Sequence, residues 1–287
     1  MPTLTGIFLN SKKRLHNGWW IVIFFALLAT LLLPALLVSI QMHHQLSVWE
    51  QAGIILIATL IVQFLRKRSI SEVTGEPNAL ALRDLGVGIA FGFLLMAAPA
   101  ATLWCGGFVH FSLTPLQAER ILAAVVLMAA VAIAEELLFR GVIFQRLVAA
   151  VGEWPAQIVI GLLFVLTHLG NPGMDGATKA WAGANIFLAS ILFGKAFLRS
   201  KGLALPIGLH FMANVTQGVV LGFGVSGNDT ASLLSSQFTI DAPWLTGGAF
   251  GLEASLPGLI ALSLMLAYFV FSTDPRQGSG WSIENKN

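Results

Sequence analysis

Charge is what this sequence lacks most. Only 10% of its 287 residues are Asp, Glu, Lys or Arg, while 56% are hydrophobic. An ordinary soluble domain carries about 25% charged residues. With a mean hydropathy of +0.80, the chain has too few charged side chains to cover a water-facing surface. That excludes a soluble enzyme, a disordered chain and a coiled coil. It leaves an all-α, polytopic helical membrane protein. Net charge is only +2, so the electrostatic footprint of a nucleic-acid-binding protein is missing too. Cysteine is nearly absent. The single Cys105 forbids an intrachain disulfide or a cysteine-based zinc site and reads as an inert, small core residue.

Long apolar runs are what the chain has. A spanning helix needs roughly 20 mostly apolar residues, and about eight segments qualify: about 19–40, 48–65, 85–105, 118–147, 155–171, 181–198, 203–224 and 256–272. The first is longer than the apolar core of a signal peptide and lacks an A-x-A exit, so it reads as a span. Lysine and arginine set the orientation. Lys12, Lys13 and Arg14 precede the first span, and Arg66, Lys67, Arg68 and Arg83 follow the second. Arg140 and Arg146 end the fourth, Lys195, Arg199 and Lys201 link the sixth and seventh, and Arg276 and Lys286 lie in the tail. If eight spans alternate, only Arg120 and Lys179 fall on the other side. The termini are therefore expected in the cytoplasm, and the protein in a plasma or inner membrane if it is bacterial. Trp19, Trp20, Trp49, Trp104, Trp154 and Trp181 sit near span ends, as an aromatic belt does. The chain reads as one membrane domain over residues 1–287, with a solvated tail at about 273–287. The segment at about 225–255 is rich in Gly, Ser and Thr and reads as a loop with an interfacial piece around Leu245 to Leu252. Asn228-Asp229-Thr230 within it fits a glycosylation sequon, which matters only in a secretory-pathway host.

Ionisable side chains inside a span are rare and usually functional. Here they fall in three places. The fourth span carries Glu135-Glu136-Leu-Leu-Phe139-Arg140-Gly141, the fifth Phe164-Val-Leu-Thr-His168, and the seventh Pro206-Ile-Gly-Leu-His210-Phe-Met-Ala-Asn214. Glu136 and Arg140 are four apart, share a helix face and stand in the favourable order for an ion pair. Glu135 points about 100° away around the helix. Its i+3 and i+4 neighbours are Leu138 and Phe139. A carboxylate without a local partner is the candidate for exchanging protons with a substrate or water. His210 and Asn214 share a face and offer two donors for an oxyanion, or an interhelical hydrogen bond. His168 suits catalysis or a bond to a backbone carbonyl. At about 1.5 Å rise per residue, counted from one end of each span, Glu135, His168 and His210 lie roughly 16, 21 and 13 Å deep. Three helices can therefore offer these groups to one cavity. The catalytic helices fall within about 118–224.

These motifs, in order and in separate spans, resemble the CPBP family, the CAAX protease and bacteriocin-processing group of intramembrane endopeptidases that includes the type II CAAX prenyl endopeptidase. The resemblance runs from Glu135 to Asn214. It implies that Glu135 activates water with help from His168, that His210 and Asn214 hold the oxyanion, and that Glu136 and Arg140 support the first motif. It implies a peptide or lipidated-peptide substrate, CAAX-like or otherwise membrane-associated. No cofactor is expected. Members of the family have been called metalloproteases, and Glu135, His168 and His210 are the three ligands a Zn²⁺ site would use here, although no H-E-x-x-H is present. Two other functions stay open: a proton- or ion-coupled transporter, since intramembrane Glu and His also relay protons, and a non-enzymatic immunity or scaffold protein. Against the transporter, the chain shows no matched pair of broken apolar segments.

Overall fold

The computed structural model describes residues 8–9 and 13–272. The predicted tail at 273–287, and with it Lys12, Arg276 and Lys286, lies outside the described residues. The architecture is a helical bundle. Its elements are α1 (Asn17–Gln41), α2 (Val48–Leu65), the short α3 (Ser71–Thr74), α4 (Ala79–Cys105), β1 (Val109–Leu113) and α5 (Ala118–Leu138). A π turn (Phe139–Ile143) joins α5 to α6 (Phe144–Val151); α7 (Glu153–His168), α8 (Gly176–Ser200) and α9 (Ala204–Asn214) follow, and a second π turn (Val215–Val220) extends α9. An outer segment, 221–255, holds β2 (Leu234–Phe238), α10 (Pro243–Thr246) and a 3₁₀ turn (Leu252–Ala254), and α11 (Leu256–Phe271) closes the described chain.

Local chemistry sets the helix starts. Ser47 and Glu50 form a reciprocal capping box at α2, with Ser47 N–H donating to Glu50 Oε2 at 2.7 Å. Asn78 Oδ1 accepts from the amides of Leu80 and Ala81 at α4. Ser255 Oγ accepts from Gly258 N–H at α11, with Pro257 in the first turn. The polarity is inverted relative to a soluble protein. Leu37, Phe64, Leu122, Leu166 and Phe271 are exposed, whereas Glu136, Arg140 and Arg146 are buried. Among the described residues, the fit to a polytopic membrane protein is clear on length as well. Five helical stretches are long and apolar enough to cross a membrane: Asn17–Gln41, Val48–Leu65, Ser71–Cys105, Ala118–Val151 and Gly176–Ser200.

One expectation needs correction, and two gain detail. Helices occupy all eight predicted places; those at the fifth, seventh and eighth are shorter than the five that are long and apolar enough to cross a membrane. The seventh, α9, is a largely buried central helix, so protein rather than lipid surrounds it. The described chain is nearly all α, with one two-stranded ribbon: β1 and β2 pair antiparallel, Val109 opposite Phe238 and Leu113 opposite Leu234. That ribbon draws the outer segment back over the α4–α5 connection. Finally, Cys105 is exposed at the end of α4, not in the core.

Close packing of α4 on α9 positions the site. A Cβ at Gly88 would lie 2.3 Å from the Leu205 carbonyl oxygen, and one at Gly92 2.2 Å from that of Leu209. This is small-xxx-small packing, in which missing side chains let two backbones touch. Since Leu209 precedes His210, Gly92 sets the height and rotation of the helix that carries the histidine. Gly92→Ala forces those backbones apart and is expected to destabilise the bundle by about 1–3 kcal/mol, read as earlier unfolding in a detergent titration.

Buried charge ties the ends of the bundle together. Glu72 accepts from Arg66 at 2.8 Å and from Arg146 at 3.1 Å, and Arg146 also donates to Asn17 Oδ1 at 3.3 Å. The connection after α2 is thereby fixed to α6 and α1.

Candidate active site

The three motifs meet around one arginine. Arg140 is fully buried where α5 passes into the π turn, with Gly141 off helical geometry at φ −68° and ψ −124°. Insertions of this kind are frequent at functional sites. Arg140 Nη1 donates to Glu136 Oε1 at 3.2 Å, the i,i+4 pair expected from the spacing. Its Nη2 donates to the carbonyl and hydroxyl oxygens of Ser190 on α8 at 3.0 and 2.9 Å. Aromatic faces enclose the guanidinium: the Phe164 and Phe193 centroids lie 4.9 and 5.1 Å from its carbon.

Phe164 explains the F-x-x-x-H spacing. One turn before His168, its ring contacts both the arginine and the imidazole, the latter at 4.7 Å between centroids. His168 Nδ1 donates to the Phe164 carbonyl oxygen at 2.7 Å. That bond assigns the Nδ1 proton and leaves Nε2 as the ring's open nitrogen.

His210 stands between two carboxylates. Nδ1 donates to Glu136 Oε1 at 3.0 Å, and Nε2 lies 3.8 Å from Glu135 Oε2. The ring stacks on Phe193 at 4.8 Å with 10° between planes. Glu136 therefore does more than pair with Arg140: it also fixes the ring orientation of His210. Glu135 is 27% exposed, against 0% for Glu136. The two adjacent glutamates differ as their positions on the helix predict, one locked into a network and one open.

His168, His210 and Asn214 line a common cavity of about 60 Å³ that opens to the outside. Asn214 makes no side-chain hydrogen bond among the described residues, so its amide is available to a guest. Glu135 does not line this cavity and is linked to it through His210. Among the described residues, no three His, Cys, Asp or Glu side chains are grouped so as to hold a metal ion. Glu135, His168 and His210 do not form such a set in this arrangement.

Motif spacing misses part of the site. Ser190 and Phe193, which hold Arg140 and His210, lie on α8, where no motif runs. Asn185, Ser226 and Glu253 add a second polar wall to the cavity. A carboxylate just before the last apolar run was the one available signal for Glu253.

Residues 117–216 match the model for type II CAAX prenyl endopeptidase, Rce1-like. The match spans all three motifs and stops before Ser226 and Glu253. A curated relative, the uncharacterized protein YyaK of Bacillus subtilis (strain 168), is 24% identical over 188 residues, covering 62% of this chain and 60% of that protein.

Proposed function

We propose that the protein is an intramembrane endopeptidase that hydrolyses a peptide bond with a glutamate-activated water and a His/Asn oxyanion hole. The observation that carries this reading is the placement of His210 between Glu136 and Glu135, on the wall of a cavity shared with His168 and Asn214.

Glu135, the exposed carboxylate, takes a proton from water as that water adds to the scissile carbonyl. His168, with Nδ1 committed to the Phe164 carbonyl, presents Nε2 to the same water. The resulting tetrahedral oxyanion is held by the Asn214 amide and by His210. In the imidazolium form His210 donates from both nitrogens, Nδ1 to Glu136 and Nε2 to the oxyanion. Collapse breaks the C–N bond, and the proton held by Glu135 passes to the departing amine. The substrate class is a CAAX-like or other membrane-associated peptide, with or without a lipid.

Asn214→Ala tests the oxyanion assignment. Loss of one donor is expected to lower kcat by roughly 10²–10³-fold with little change in KM, measured on a fluorogenic peptide in detergent. An unchanged kcat removes Asn214 from the mechanism.

A further inference from the structure

The cavity has a second polar end that the reaction above does not use. It is supplied by Asn185 on α8 and by Ser226 and Glu253 of the outer segment, the last two beyond the matched residues 117–216. Glu253 reaches it from the 3₁₀ turn before α11. Its Oε1 accepts from Gln217 Nε2 at 2.9 Å, and its Oε2 from Ser226 Oγ at 2.7 Å. Gln217 lies three residues after Asn214, so the carboxylate is tied to the helix that bears the oxyanion donors.

The outer segment is locked in this place. Asn171 Nδ2, just past His168, donates to the Ser226 carbonyl at 3.0 Å, and Gly227 N–H donates to the Phe250 carbonyl at 3.1 Å. Gly227 has φ +81°, and a Cβ there would lie 1.9 Å from the Pro172 carbonyl oxygen, so only glycine fits.

This end of the cavity is made of acceptors. Each Glu253 oxygen keeps a lone pair beyond its one hydrogen bond. The Ser226 hydroxyl hydrogen is committed to Glu253. Asn185 Nδ2 donates to the carbonyls of Trp181 and Ser255, which leaves its carbonyl oxygen without a partner among the described residues. The catalytic end instead offers donors, from Asn214 and from His210 in its imidazolium form. A guest that suits both ends carries a carbonyl at one and a strong donor at the other. Glu253 is also the one Asp or Glu among the residues lining the cavity. Burial pushes its carboxyl above the usual carboxylate range, against the pull of Ser226, Gln217, His168 and His210. A cation beside it compensates that burial, and an acidic guest meets like charge.

We propose that Glu253, with Asn185 and Ser226, forms a specificity subsite for a lysine or arginine side chain close to the peptide bond held by His210 and Asn214. The subsite rests on the peptidase reading for its purpose but not for its test. The probes are blocked hexapeptide amides of Ala and Leu carrying Lys, norleucine or Glu at each position in turn. Binding is measured by fluorescence anisotropy to the detergent-solubilised full chain carrying Glu135→Gln, with and without Glu253→Gln. At one position, Lys should bind about ten- to hundredfold tighter than norleucine or Glu, and Glu253→Gln should abolish the difference. Equal binding of Lys and Glu peptides at every position, or a Lys preference that survives Glu253→Gln, overturns the subsite. If Glu253→Gln does not fold, Glu253→Asp must keep the preference and Asn185→Leu must weaken it; the reverse result also overturns it. A Lys preference that depends on Glu253, together with no peptide cleavage by the wild type, upholds the subsite and removes the peptidase reading alone.

Discussion

Glu135→Gln is expected to lower kcat by about 10²–10⁴-fold, the usual contribution of a positioned general base. Glutamine keeps the volume and the hydrogen-bonding shape of the side chain but accepts no proton from water. The fold should survive the change. Glu135 is 27% exposed and touches the buried network at one point, His210 Nε2 at 3.8 Å, beyond hydrogen-bond distance, so neutralising it breaks no bond of that network. KM and the unfolding midpoint should therefore stay near the wild-type values while turnover is lost. Parallel loss of stability and turnover would mean that Glu135 is structural and that another group activates water.

Arg140→Leu should have the opposite signature. Arg140 is fully buried and holds Glu136 and Ser190 together. Removing it strands the Glu136 carboxylate in the bundle with only His210 as a partner. Breaking a buried pair from one side costs about 3–5 kcal/mol, a large part of a total stability of roughly 5–15 kcal/mol. Ser190→Ala removes one hydrogen bond to a charged group and should cost about 1.5–3 kcal/mol. The double variant Glu136→Gln with Arg140→Leu should recover much of the loss, because no unpaired charge remains. Its turnover should stay low, since Glu136 no longer orients His210. A change of less than about 1 kcal/mol for Arg140→Leu would contradict the described network, and a detergent-unfolding titration reads all three variants.

What the sequence discloses follows from the range of each interaction. Glu136 and Arg140 are legible because i,i+4 geometry is local, and the structure places them 3.2 Å apart. The meeting of His168, His210 and Asn214 is legible from depth, because a membrane span gives each residue an approximate height. Rotation about the helix axis is not encoded in depth. For that reason the wall shared with Asn185, Ser226 and Glu253, the displacement of Glu135 from the cavity lining, and the support from Ser190 and Phe193 emerge only in three dimensions. Gly88 and Gly92 read as ordinary composition in a chain with 29 glycines until α4 is seen against α9. The β1–β2 ribbon joins segments more than a hundred residues apart, and no local pattern announces it. The short α9 shows that an apolar run also suits a helix enclosed by protein, whereas α7 and α11 keep exposed apolar faces at Leu162, Leu166, Leu264 and Phe271.

The central claim is that Glu135 drives hydrolysis without a metal. The most direct measurement is cleavage of a peptide library by the purified wild-type protein in detergent, before and after chelation, beside Glu135→Gln. Products are read by mass spectrometry. The account predicts cleavage that is unchanged by the chelator and lost in Glu135→Gln. Cleavage that stops on chelation and returns with Zn²⁺ would contradict it.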